Sequence, residues 1–128
     1  MAKQKEVKTN AMRILDSLKI PYAHMTYECS EFVDGLQIAR MLSLPCEKVY
    51  KTLVTEGCSR EYYVFVIPVA EELDLKAAAR SVGEKSVEMI PVKDITRVTG
   101  YIRGGCTAVG MKKTYVTKID SSAEGRDT

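Results

Sequence analysis

The stretch YYVFVIPV (62–69) is apolar at odd and even positions alike. Successive side chains of a strand point to opposite faces. A strand of this kind must be covered on both faces, so it belongs in the buried middle of a sheet. A second strand pattern, KVYKTLV (48–54), precedes it across a short connection containing Gly57. Two such runs so close together predict an antiparallel hairpin.

The flanking segments supply the covering layers. Residues 8–19 read as a helix, with Thr9 as N-cap and Ala11, Ile14, Leu15 and Leu18 on one face. Pro21 ends it, and 22–27 read as a short strand. Asp34 or Gly35 opens a second helix that stops before Pro45. LDLKAAARSVG (73–83) reads as a helix with Asp74 at its start and Gly83 as its stop. Residues 86–90 and 114–119 read as strands, and 91–100 as a short helix with Pro91 near its first position. The polar tail after 119 is expected to fray. Helices and strands alternate irregularly around a hairpin. The expectation is therefore a mixed α/β (α+β) fold, not a doubly wound parallel sheet: a largely antiparallel mixed sheet, or a partly closed barrel, with packed helices.

At 128 residues the chain makes a single domain, large enough to bury a core without staples. It has no apolar run near the roughly 18 residues of a membrane span, and MAKQKEVKTN is followed by no apolar signal region. Cys29, Cys46, Cys58 and Cys106 are widely spaced with no C-x-x-C pair, which argues against a zinc knuckle and a disulfide framework. A reducing cytoplasm is the expected compartment. Net charge is only +2, yet 93–118 holds Lys93, Arg97, Arg103, Lys112, Lys113 and Lys118 against Asp94 alone. Such a segment suits an anionic partner such as RNA.

Two features carry the chemistry. Lys51 lies within VYKTLV, with apolar neighbours whichever face is buried. A strand lysine commonly marks an edge or snorkels to water, but this strand is hydrophobic enough to suggest a lysine lining a cleft. The second feature is TGYIRGGCTAVGMKK (99–113), where Gly104, Gly105 and Gly110 sit between cations. A glycine pair lets the main chain approach a ligand closely, and free N–H groups in such a turn cradle anions or carbonyl oxygens. The phosphate-loop spacing fails, because Met111 occupies the lysine position. No GxSxG or HExxH occurs, and His24, the single histidine, reads as structural. Cys106 has no recognisable basic partner and reads as a small buried residue rather than a nucleophile.

KTNAMRIL (8–15), VYKTLV (49–54), LDLKAAA (73–79) and TGYIRGG…GMKK (99–113) together resemble, in order and spacing, the YbaK/EbsC family. These are free-standing aminoacyl-tRNA deacylases related to the editing insertion of bacterial prolyl-tRNA synthetases. The resemblance covers roughly 8–122. It implies trans-editing hydrolysis of a mischarged tRNA, typically Cys-tRNA(Pro), without cofactor or metal. The cysteine thiol attacks its own ester, and the protein supplies orientation and oxyanion stabilisation. The resemblance assigns Lys51 as the polar anchor, facing the same pocket as the loop. It assigns the amides around Gly104 and Gly105 as donors, Tyr27 (in MTYE) as a pocket wall, and Cys106, Thr107 and Gly110 as substrate-side loop residues. Arg103, Lys112 and Lys113 are phosphate contacts by charge.

Two departures from the family pattern stand out. Thr107 and Ala108 replace its usual Ser-Pro, and the chain lacks the further strand, serine-bearing turn and acidic residue found in family members. The resemblance thus implies one editing domain over 1–128, C-terminally truncated, with an exposed sheet edge open to self-association. The alternative function is a non-catalytic module that binds tRNA or prolyl-tRNA synthetase.

Overall fold

The computed structural model describes residues 8–25, 34–102 and 106–125. Among them, β1 (Tyr50–Gly57), β2 (Tyr62–Pro68), β3 (Val87–Met89) and β4 (Val116–Ile119) form one open mixed sheet in the order β3-β1-β2-β4. The helices are α1 (Asn10–Ser17), α2 (Gly35–Met41), α3 (Leu75–Val82) and α4 (Ile95–Thr99). The hairpin is antiparallel in unbroken register, from Tyr50 opposite Pro68 to Glu56 opposite Tyr62. Residues 58–61 connect its strands, and the turn is closed by Gly57 N–H donating to Glu61 O at 2.9 Å. β2 lies between β1 and β4, which explains why its sequence carries no polar face. β4 runs parallel to β2.

Alternation divides the core between the two faces of the sheet. Tyr63, Phe65 and Val87 point to one side, where Ala78 and Ala79 of α3 cover them. Val54 and Val64 point to the other, against Val98 of α4, Ile90 and the chain that follows α4. On that side Tyr62 and Tyr115 meet edge to face with ring centroids 5.9 Å apart, and Tyr115 donates to Val98 O at 2.8 Å.

Local signals fix the helix ends as expected. The Thr9 hydroxyl accepts from Met12 N, Asp34 and Gln37 form a reciprocal capping box, and Asp74 accepts from Lys76 N and Ala77 N. Gly83 closes α3 at φ +74°, a left-handed cap that a side chain would disfavour.

Three boundaries differ from expectation. Residues 22–25 form no strand, because no described strand lies beside them to complete a ladder, and 26–27 fall outside the described residues. The expected helix over 91–100 begins as a 3-10 turn, Val92–Asp94, before α4, with Pro91 ahead of it. The strand expected at 48–54 starts at Tyr50, after a 3-10 turn at Cys46–Lys48, and runs on through Gly57. No described helix is long and apolar enough to cross a membrane.

Candidate active site

The glycine-rich loop is tied at its base by hydrogen bonds between residues far apart within it. Thr99, fully buried, donates its hydroxyl to Ile95 O at 2.7 Å and accepts from Tyr101 N at 3.0 Å. Its carbonyl accepts from Lys112 N at 3.0 Å, which joins the two ends of the loop. One turn further in, the Tyr101 hydroxyl donates to Val109 O at 2.6 Å. Gly110, at φ +76°, lies beneath α1: a Cβ there would stand 2.5 Å from Ile14 Cδ1 and 2.6 Å from Asn10 Nδ2. Asn10 Nδ2 donates to Gly110 O at 3.1 Å.

The loop's residues divide by environment. Cys106, Ala108 and Met111 pack on the cluster of Val54, Val64, Ile90 and Val98. Burial pushes the Cys106 thiol above its ordinary value, and a hydrogen bond with Thr99 only partly offsets this. The thiol therefore stays protonated at neutral pH, which is unfavourable for a nucleophile. Thr107 turns its hydroxyl back to accept from Val109 N at 3.3 Å. Lys112 and Lys113 are exposed, and Lys112 Nζ reaches Arg97 O at 3.5 Å. Tyr27, Arg103, Gly104 and Gly105, all expected at the site, lie outside the described residues.

Lys51 stands apart from this part of the loop. Its Cα pairs with Ile67, and alternation places it with Leu53 and Phe65 on the α3 face of the sheet. The chain at 106–111 covers the other face. Lys51 and the chain at 106–111 thus lie on opposite faces of the sheet, while Gly104 and Gly105 lie outside the described residues. Lys51 is half-buried on a stretch of β1 whose outer edge carries no described strand, since β3 pairs only with Thr55 to Gly57.

Charge separates the two sides further. On the α3 face, between α3, β2 and β4, lies a cavity of about 330 Å³ with Phe65 and Ile67 in its floor. Glu71, Glu72, Asp74 and Asp120 rim it, with Lys118 beside them, a setting that repels phosphate. Exposed Lys93, Arg97, Lys112 and Lys113 belong instead to α4 and the segments flanking it, with Asp94 3.6 Å from Arg97. No described group of three His, Cys, Asp or Glu side chains is placed to hold a metal ion, and Cys46, Cys58 and Cys106 are free thiols.

Sequence reasoning missed Asn10, Thr99 and Tyr101 as parts of the loop's frame. Asn10 lies within KTNAMRIL, but beside a good N-cap threonine it looks like one more polar residue of a helix start. Its partner stands 100 positions away, so no local pattern points to it.

Residues 34–128 match the model of the aminoacyl-tRNA editing domain family. An Enterococcus faecalis protein named "Putative Cys-tRNA(Pro)/Cys-tRNA(Cys) deacylase EbsC" is 43% identical over 126 residues, spanning 97% of this chain and 77% of that protein. Among solved structures, "a putative trans-editing enzyme for prolyl tRNA synthetase" superposes with a TM-score of 0.75 at 20% identity, over 94% of this chain and 78% of that one. The hypothetical protein APE2540 superposes at 0.74 with 18% identity, over 84% and 71%. These two share the fold, and the sequence matches carry the kinship: the chain belongs to the aminoacyl-tRNA editing domain family.

Proposed function

We propose that this chain is an aminoacyl-tRNA deacylase that acts in trans on mischarged tRNA, with Cys-tRNA(Pro) as its principal substrate. The carrying observation is a backbone loop held in shape by its own base, whose Cys106 thiol is not activated, in a chain of the editing family. Such a loop suits orientation and oxyanion stabilisation, not covalent catalysis. The similarity to the Enterococcus protein supports cysteine as the esterified residue. Cysteine and proline differ too little in size for one binding site to separate them strongly, so a second, hydrolytic site has a clear use.

In this reading the substrate brings its own nucleophile. The cysteinyl sulfur attacks the ester carbonyl, and the bond from that carbon to the ribose oxygen breaks. The thiol proton passes to the departing oxygen, and water then opens the cyclic thioester to free cysteine. Amides around Gly104 and Gly105 would donate to the developing oxyanion. Lys51 would anchor the ester or the terminal adenosine. Cys106, Thr107 and Gly110 would shape the substrate side of the loop, with Tyr27 as a wall. Arg103, Lys112 and Lys113 would meet acceptor-stem phosphates. A prolyl-tRNA synthetase is the partner whose errors this reaction corrects, and the exposed outer edge of β4 is the surface for any self-association.

The test is to compare Cys-tRNA(Pro) with Ala-tRNA(Pro) and with cysteinyl ester whose thiol has been alkylated. The mechanism predicts rapid loss of the first alone. Equal hydrolysis of all three would retain the enzyme and reject the thiol step. Binding of tRNA with no turnover would leave the binding-module alternative.

A further inference from the structure

We infer that Asn10 is a positioning residue, which holds the glycine-rich loop in its working shape from a separate element, α1. The inference rests on the proposed role of the loop in ester hydrolysis. The Asn10 amide stands where three segments meet. Its Nδ2 donates to Gly110 O at 3.1 Å and reaches the Tyr101 hydroxyl at 3.4 Å, while that hydroxyl donates to Val109 O at 2.6 Å. The result is a directed relay from Asn10 to Tyr101 to Val109, which ties the chain at 101 to the chain at 109–110. Aspartate in place of Asn10 would offer only acceptors to a carbonyl that needs a donor.

Two observations separate this arrangement from ordinary helix capping. Thr9 already caps α1 by accepting from Met12 N at 3.1 Å, so the helix does not need the Asn10 amide. α1 also contributes no buried residue to the core, so its seat on Gly110 contributes little to the stability of the sheet. What that seat does is close the loop: Ile14 and Asn10 fill the space where a Cβ on Gly110 would stand. Placement of amides and ester within a fraction of an ångström is what such a site requires.

The experiment uses the whole chain as wild type, Asn10→Ala, Asn10→Asp, Tyr101→Phe and the Asn10→Ala/Tyr101→Phe double variant. Single-turnover cleavage of Cys-tRNA(Pro) gives the rate at saturation and the half-saturating concentration. Amide hydrogen exchange at 106–110 is read against Val64 in β2 as an internal reference. Asn10→Ala is expected to lower the saturating rate about tenfold or more, with half-saturation within about twofold, since the loss is one of orientation. Asn10→Asp should lose as much, although an acid in the first turn favours the helix. The double variant should be no slower than its slower parent. Exchange should quicken at 106–110 and not at Val64. Wild-type rates and loop exchange in Asn10→Ala would overturn the proposal, as would exchange that quickens equally at Val64. If the wild type cleaves no ester, the deacylase reading fails, and the exchange comparison still decides whether Asn10 holds the loop.

Discussion

Gly110 carries two constraints at once. Its φ of +76° is unfavourable for any residue with a Cβ, and the space where a Cβ would stand is filled by Ile14 and Asn10. Gly110→Ala should therefore cost about 2 kcal/mol or more from backbone strain and crowding together, measured by urea unfolding; an unchanged midpoint would contradict the packing of α1 on the loop. Glu84 shows a different residue-scale device at the far end of the hairpin. Its carboxylate accepts from the Ser59 hydroxyl, from Tyr63 OH at 2.6 Å and from Ser59 N at 3.3 Å. The Ser59 hydroxyl, and then Tyr63, hold the Glu84 carboxyl below its ordinary value, against a smaller opposing effect of burial. A carboxyl depressed in the fold stabilises it fully above the ordinary value, and that contribution is lost as pH falls through the lower folded value. Glu84→Gln should thus lower Tm at neutral pH, with the deficit shrinking below about pH 4. A deficit constant across that range would contradict the assignment.

Among the elements, β2 and α3 were the most legible. A run apolar on both faces could only be a central strand, and Asp74 and Gly83 mark both ends of their helix. Val64, with no exposed surface, is the centre of that burial. Val64→Ala should cost about 2–3 kcal/mol; a loss below about 1 kcal/mol would mean that the far face of β2 is less filled than its contacts imply. The split at 91–100 was not legible, because a proline followed by a short run fits a 3-10 turn and an α-helix equally well. The face of Lys51 was open for a similar reason. Alternation in VYKTLV fixes which residues share a face, but only the partners brought by α3 and by 106–111 decide which face is which. The contact between α1 and Gly110 was hidden by sequence distance, since each side looks complete as local structure.

At the scale of the molecule, the sheet separates two chemistries. The α3 side presents a carboxylate-rimmed cavity, and the α4 side presents exposed Arg97, Lys112 and Lys113 beside the loop. A modest net charge of +2 conceals this division. If RNA approaches from the α4 side, Lys112→Ala and Lys113→Ala should each weaken tRNA binding regardless of sequence. Each should also reduce the slope of log K against log salt by about 0.7–0.9, as one lost phosphate contact requires. An unchanged slope for both would place the RNA elsewhere. Single-turnover cleavage of Cys-tRNA(Pro) by the wild type and by Lys51→Ala decides whether the proposed ester hydrolysis occurs with Lys51 at the site. The expected outcome is fast release of cysteine by the wild type and a rate at least about a hundredfold lower for the variant, the scale expected when a polar group at the reacting centre is removed. A wild type that leaves the ester intact, or a Lys51→Ala variant that cleaves it as quickly, would contradict it.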